Sequence, residues 1–214
     1  MARPVVFSFG ASDSQAVALV QTVASGGSLA VNGTASYGAP WARATASGGF
    51  SRILTYYSAV DLSGVALVVQ GTSITGGAIS SAQAGPAASF VSGSVYFAEV
   101  TSVTVSGGAA TSVSIGFGSQ AISNWYLPGR GRDNNPFNID INLSVSGTIS
   151  TTVQHTFADV QTSGSPMTAN HPVIAASTTN QDGTYTSPIA ACRFVVNSSA
   201  AGATAKYTFI QAGV

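Results

Sequence analysis

The residues of this chain that could perform chemistry are few and scattered. His155 and His171 are the only histidines, and they form no H-x-x-H or H-x-H pattern of the kind that metal sites use. We expect His155 to be an ordinary strand side chain and His171, which precedes Pro172, to be an exposed loop residue. The only cysteine, Cys192, lies in an apolar run, which predicts a small buried side chain rather than a nucleophile. The sequence therefore predicts no metal site.

One glycine motif is typical of nucleotide binding. Residues 116–121 read GFGSQA and match G-x-G-x-x-A after a plausible strand, with Asp140 near the distance of a ribose partner. The motif requires a helix whose N-terminus points at the pyrophosphate. Residues 122–128, ISNWYLP, cannot supply that helix, so we interpret the motif as a glycine-rich strand exit and expect no cofactor.

The carboxylates do not form an evident catalytic pair. Glycoside hydrolysis needs two carboxylates facing each other across a cleft. Asp133, Asp140, Asp159 and Asp182 lie mostly in turn-like contexts, where aspartate is common because it bonds the local backbone. A calcium ion held by these loops is a minor alternative, and no G-x-S-x-G elbow is present. We predict that the protein has no catalytic site and is not an enzyme.

Charge is the most unusual feature of the composition. Only 7% of the 214 residues are charged, with seven basic and seven acidic side chains, while 45% are hydrophobic. A neutral chain lacks the basic surface that would attract nucleic acids or anionic membranes, so neither is an expected partner. The N-terminus shows no signal-peptide pattern and every apolar run is of strand length, which predicts synthesis in a cytoplasm.

Short runs of β-branched and aromatic residues, separated by Gly, Ser and Asn, recur along the chain. They predict an all-β fold with little or no helix, built as two β-sandwich-like units of jelly-roll or immunoglobulin-like topology. Residues 14–23 could instead form a helix, although their β-branched content favours a strand. The clearest predicted strands span residues 51–57, 64–70, 100–105, 112–117, 139–145, 148–156, 191–196 and 205–210.

The predicted domain division follows a change of character after residue 120. Glycine pairs at 26–27, 48–49, 76–77 and 107–108 predict tight turns in the first half. Residues 124–137, NWYLPGRGRDNNPF, show almost no alternation and contain two prolines. We expect an N-terminal β unit with an N-terminal arm (1–120), a connection (121–138) and a C-terminal β unit (139–214). A single sandwich with a crossover at 124–137 is the alternative.

Aromatic and arginine side chains are the candidates for subunit contacts, because such residues anchor protein interfaces. A carbohydrate-stacking platform is the alternative for the aromatics. We expect the N-terminal arm and residues 124–137 to make these contacts. The interface candidates are Trp41, Trp125, Tyr126, Arg130, Arg132 and Phe137.

Three stretches, in this order, resemble the small virion structural proteins of tailed bacteriophages. The first contains DLSGVALVVQGT (61–72), AGP (84–86) and YFAEVTSVTVS (96–106). The second contains VSIGFG (113–118), ISNW (122–125), NPFNI (135–139) and TVQHTFAD (152–159). The third contains SPIAACRF (187–194) and IQAG (210–213). The likeness covers residues 50–214, and the chain departs from the pattern in a shorter, less aromatic stretch at 161–170.

The resemblance implies a virion location and binding to the major capsid protein or other virion proteins. It implies first a capsid decoration (cement) protein, which sits on the outside of the head shell as a homo-oligomer, commonly a trimer, and clamps capsomers together. A ring or tube component of the tail or head-to-tail junction is the alternative. An adhesion module that binds host glycans through its aromatics is a further alternative.

Overall fold

The computed structural model describes residues 4–37, 43–46, 48–129, 138–162 and 166–211. This part of the chain is all-β and contains no helix, which confirms the predicted fold class. The strands are β1 (Val5–Phe9), β2 (Asp13–Val23), β3 (Ser28–Leu29), β4 (Ser36–Tyr37), β5 (Arg43–Thr45), β6 (Phe50–Ser58), β7 (Ala66–Thr72), β8 (Ala78–Ala84), β9 (Phe90–Phe97), β10 (Glu99–Ser106), β11 (Ala110–Ser123), β12 (Ile139–Ser146), β13 (Ile149–Thr156), β14 (Ala169–Asn170), β15 (Gln181–Tyr185), β16 (Ala191–Ser199) and β17 (Thr204–Gln211).

Each predicted strand overlaps an observed one, from β6 to β17, although β11 continues to Ser123 beyond the predicted end at residue 117. The ambiguous segment 14–23 is strand β2, paired with β11. The predicted glycine turns are also present, because the first glycine of each pair has a positive φ between 73° and 83°. L side chains rarely adopt that conformation, so glycine is required there for steric reasons.

The chain divides into two compact units, which we call unit A (Ser12–Ala121) and unit B (Met1–Ala11 with Ile122–Val214). In unit A, one sheet has the order β4-β5-β10-β7-β8, with β3 also paired to β10. The second group of strands pairs β11 with β2 and β6, and β6 with β9. Side chains from both groups form a single buried cluster, with Leu67 and Val103 from one and Leu54 and Ile115 from the other. This is the arrangement of a β-sandwich.

Unit B has an aromatic core between its strands. One sheet has the order β1-β17-β12-β15, and β13 pairs with both β14 and β16. The ring of Phe194 on β16 stacks on Tyr207 and Phe209 of β17, with centroids 3.8 Å and 4.6 Å away. All three rings are fully buried. Stacked rings of this size supply much of the apolar area that a small core needs.

The first residues of the chain belong to unit B. The sequence pattern predicted an arm on the N-terminal unit, whereas Val5–Phe9 forms β1 and pairs with β17 over its whole length. The ring of Phe7 meets Phe194 edge-on at 5.4 Å. Alternation along β1 turns Phe7 and Phe9 toward buried neighbours, and this is why the segment is a strand of the sheet.

Candidate functional site

The structure describes two of the predicted interface residues, Trp125 and Tyr126, which lie side by side in unit B. Whether they contact another subunit stays a prediction. The other four lie outside the described residues, namely Trp41, Arg130, Arg132 and Phe137.

Residues 124–129, which we call the docked segment, follow the end of β11 and lie against the start of β16. The Tyr126 N–H donates to the Cys192 carbonyl at 2.7 Å, and the Cys192 N–H donates to the Tyr126 carbonyl at 3.0 Å. Just before the segment, the Ser123 hydroxyl accepts a hydrogen bond from the Phe194 N–H at 2.9 Å. These bonds satisfy backbone groups at the start of β16 and hold the segment in place.

The two aromatic rings of the docked segment are both engaged within unit B. The Arg193 guanidinium lies 4.6 Å from the centre of the Trp125 ring, a cation–π distance. Tyr126 stacks on Phe209 with centroids 4.7 Å apart and planes inclined by 13°. Burial, and secondarily the neighbouring Cys192, raises the pKa of the Tyr126 hydroxyl. Tyr126 therefore acts as a half-buried wall of the core, and one face of Trp125 is covered.

The far end of the docked segment is clamped by an amide side chain. The Gly129 N–H donates to Gln211 Oε1 at 2.8 Å, and Gln211 Nε2 donates to the Gly129 carbonyl at 2.5 Å. Gln211 is buried, and a buried amide needs hydrogen-bond partners for both its oxygen and its nitrogen. Gly129 supplies both. A buried amide bonded in this way fixes the position of the segment next to the end of β17.

A groove runs beside the docked segment, with a volume of about 290 Å³. It is lined by apolar residues and by two polar ones, namely Leu127, Pro128, Phe157, Val160 and Ala190 together with Asp159 and Gln161. Phe157 is 72% exposed and Leu127 48% exposed, values that are high for large apolar side chains. Neither Phe157 nor Leu127 was predicted from the sequence as a contact residue. The only signal was the position of Phe157 directly after β13, where alternation no longer turns a side chain into the core.

Few free cations lie on the described surface. Arg43 pairs with Glu99 at 3.1 Å, and Arg193 donates to Gln154 while covering Trp125. Arg52 is buried and donates to the Gly118 carbonyl, and burial lowers its pKa to about 10 against the opposing effect of Asp13. Among the described cations this leaves Lys206, which is exposed, while the groove itself contains the carboxylate of Asp159.

The expectation for His171 was wrong, because this side chain is buried, with 2% of it exposed. Its Nδ1 accepts hydrogen bonds from the backbone N–H groups of Val173 and Ile174, and its Nε2 lies 3.4 Å from the Thr184 carbonyl. This pattern requires the neutral ring with its proton on Nε2. Burial is the main cause that lowers the pKa of His171, with a smaller contribution from His155. His171 is therefore buried, and its ring accepts hydrogen bonds from the backbone of the turn that follows it.

His155 lies on β13, as expected for a strand side chain, and its Nδ1 is 3.1 Å from the Tyr185 hydroxyl. Tyr185 also meets the His171 ring edge-on, with centroids 4.7 Å apart. Within the described ranges, no group of three or more His, Cys, Asp or Glu side chains is placed to hold a metal ion.

The remaining chemistry-bearing residues have local partners. Cys192 is fully buried as predicted, and burial raises the pKa of its thiol strongly. The Asp140 carboxylate accepts from the Thr184 hydroxyl at 2.7 Å, and that of Asp182 accepts from the Asn142 amide at 2.7 Å. Asp159 accepts from the Gln161 backbone N–H, as aspartate in a turn commonly does. Asp133 lies outside the described residues.

The glycine motif at 116–121 lies entirely within strand β11, and no helix follows it in the described part of the chain. A Cβ at Gly116 would collide with the Asp13 carbonyl, and one at Gly118 would lie 2.7 Å from Thr55 Oγ1. Glycine is present because neighbouring strands approach closely at these positions. The described residues also include no helix of a length and hydrophobicity suited to spanning a bilayer.

No family model and no curated protein matches the chain. A comparison with solved structures aligns it with the major capsid protein P2 of bacteriophage PM2, at 10% identity and a TM-score of 0.21, over 98% of this chain and 97% of that one. It also aligns with a structure of infectious bursal disease virus Gt strain, at 12% identity and a TM-score of 0.18, over 99% and 73% of the two chains. Overlays with scores this low do not establish a common topology, so neither likeness supports a functional conclusion.

Proposed function

We propose that the protein is a non-enzymatic structural component of a virus particle, namely a capsid decoration (cement) protein of a tailed bacteriophage. In this role it binds the outside of the head shell and holds neighbouring capsomers together. The observation that carries the proposal is the groove of unit B, at which Phe157 and Leu127 expose large apolar side chains. The sequence resemblance to virion structural proteins of tailed phages supports the same role.

The groove favours a protein partner that is itself apolar at the contact. Phe157 and Leu127 expose large apolar area next to a segment that hydrogen bonds hold in one position. A pre-ordered apolar surface loses little conformational entropy when a partner covers it. Asp159 is the one charged side chain among the described lining residues, so such a contact depends weakly on salt. A protein attached to a phage head needs a contact of this kind, because the head must remain intact when the ionic strength changes.

The mechanism is thermodynamic rather than chemical. A protein that binds the assembled lattice but not its separated subunits stabilises the lattice by mass action. A homo-oligomer, with a trimer as the favoured form, multiplies this effect because several linked sites engage the shell together. No nucleic acid, membrane or cofactor takes part in this mechanism.

The docked segment bears on the glycan-binding alternative. Sugar-stacking platforms need an open aromatic face, whereas Arg193 covers one face of Trp125 and Tyr126 stacks on Phe209. These contacts favour a structural role for both aromatics over glycan recognition.

The proposal is tested on phage heads assembled without this protein. Purified protein is added, unbound material is removed by sedimentation, and the particles are examined by cryo-electron microscopy and by heating until they release DNA. We expect saturable density on the outer shell and a higher rupture temperature. Density on the tail or at the head-to-tail junction, or no binding at all, would contradict the cement role.

A further inference from the structure

Strand β8 (Ala78–Ala84) forms an unusually open edge of the unit A sheet. It is the last strand in the order β4-β5-β10-β7-β8, and it pairs with β7 over all seven residues without a register shift. Its sequence, AISSAQA, contains no charge and no proline. Natural proteins rarely leave such an edge unprotected, because its free N–H and C=O groups recruit another strand.

The other edges of the described sheets are protected in recognisable ways. Strands β3, β4 and β14 are two residues long, and β15 carries Asp182. Strand β9 has a register shift against β6, and β1 is five residues long and directly preceded by Pro4. The outer edge of β2 receives backbone hydrogen bonds from Gly33 and Ala35. Among these edges, β8 is the one that is long, regular and uncharged.

The hydrogen bonds that flank β8 show which of its backbone groups face outward. The Ser73 N–H donates to the Gly77 carbonyl, and the Gly85 N–H donates to the Val65 carbonyl, so odd-numbered residues bond β7. In an antiparallel ladder the alternate residues direct their N–H and C=O groups the other way. The outward residues are Ala78, Ser80, Ala82 and Ala84. Within the described part of the chain, their only outer hydrogen bond comes from the side chain of Gln83 to the Ala84 carbonyl, at 3.3 Å.

We propose that two copies of this chain pair β8 with β8, antiparallel, across a two-fold axis at Ser81. In this register Ser80 of one copy opposes Ala82 of the other, and Ala78 opposes Ala84. Every outward residue then faces an outward residue, and each such pair exchanges two hydrogen bonds, about eight in total. The two six-stranded sheets become one continuous sheet across the axis.

The occupant is a second copy because the strand is complementary to itself. Registers displaced by one residue would set outward groups against inward ones, so only every second register can form. The register that overlaps all seven residues is one of the allowed set. It opposes only small or uncharged side chains: Ala with Ala, Ser with Ala, Ile with Gln, and Ser81 with its own copy. No like charges meet, which would otherwise penalise a two-fold contact.

A cysteine at the axis tests the register. Ser81 and its copy form a non-hydrogen-bonded pair, with Cα atoms about 4.5 Å apart, inside the range for a disulfide. We expect Ser81→Cys to form a cross-linked dimer under mild oxidation, detected by non-reducing electrophoresis. Ser80→Cys is the matched control, since residue 80 faces residue 82 of the other copy and should stay uncross-linked. The native Cys192 does not compete because it is fully buried.

A proline tests the pairing without cross-linking. The outward N–H of Ala82 makes no bond to β7, so Ala82→Pro removes an interface donor while keeping the β7 ladder. In sedimentation equilibrium we expect the variant to raise the dimer dissociation constant about tenfold or more. Ala82→Thr keeps the N–H and should dimerise like the unaltered protein.

The proposal does not depend on the virion role, and it is compatible with a trimer because a two-fold β8 contact can join two trimers. Three outcomes would overturn it. The first is a protein that stays monomeric at all concentrations and gives no Ser81→Cys cross-link. The second is equal cross-linking through Ser80→Cys and Ser81→Cys. The third is a monomer whose attachment to particles is nevertheless lost in Ala82→Pro, which would assign the edge to a strand of another protein.

Discussion

Replacing Phe157 with alanine tests whether this side chain contacts a partner or stabilises the fold. The ring is 72% exposed, and a phenylalanine that becomes covered buries on the order of 150–250 Å² in all. A partner would therefore cover roughly 140 Å² of it, worth about 3.5 kcal/mol at about 25 cal/mol per Å². Since alanine scans of interface anchors often find about 2 kcal/mol or more, Phe157→Ala should weaken attachment between about 30-fold and about 300-fold.

The same substitution should change the stability of the folded protein very little. Phe157 contacts His155 edge-on at 5.5 Å but leaves most of its surface in solvent, so we expect a loss below about 1 kcal/mol in urea unfolding. Attachment is measured as a binding isotherm on phage heads assembled without the protein. Phe90→Ala is the matched control, because Phe90 is 60% exposed, lies in unit A and packs on Tyr57 at 4.5 Å. Equal affinities for Phe157→Ala, Phe90→Ala and the unaltered protein would refute the assignment of the groove.

Three further predictions concern the fold. Lowering the pH below about 6.5 should destabilise the protein, because His171 in the unfolded chain then binds a proton that the buried side chain, with its lowered pKa, binds only at lower pH. His171→Gln should therefore flatten the dependence of the urea midpoint on pH between pH 7 and 5. An unchanged slope would contradict the assignment. Gly116→Ala should lower the free energy of unfolding by about 2 kcal/mol or more, because the new Cβ meets the Asp13 carbonyl. Gly64→Ala is the control, since the space around Gly64 is open, and it should change the free energy of unfolding by less than about 0.5 kcal/mol. Similar losses for the two variants would argue against the close approach at Gly116. Phe7→Ala should destabilise unit B by about 2–4 kcal/mol in thermal unfolding because β1 contributes this ring to the aromatic core, and a free arm would show no such loss.

Local pattern was sufficient for the class of fold and for most of its long strands. Alternation of apolar and polar residues in 148–156 predicted β13, since a strand with one buried face imposes a period of two. Strands β8 and β9 were missed because AISSAQA and FVSGSVYF contain several small polar residues that resemble turn sequence. They are strands because β7 and β6 supply their hydrogen-bond partners; β7 directly precedes β8 in a hairpin, whereas β6 is distant from β9 in sequence.

The candidate site was predicted only in part. The sequence pointed to Trp125 and Tyr126, because aromatic residues in an irregular stretch often anchor contacts. It could not show that Arg193 covers one ring and Phe209 stacks on the other, since these partners lie about 70 and 80 residues away in sequence. Phe157 directly follows the predicted strand 148–156 and was not among the predicted contact residues, because its exposure depends on where β13 ends.

The amino-acid sequence by itself determined the strand-forming pattern, the glycine turns and the scarcity of charge, because each is a property of neighbouring residues or of composition. Tertiary structure alone decided that β1 completes unit B, that His171 is buried, and that β8 lies at an open edge. The first two depend on contacts between segments that are separated along the chain, and the third depends on which strands of the folded sheet lie beside β8. A strand's sequence states which of its faces is apolar, but not which neighbour occupies each of its edges.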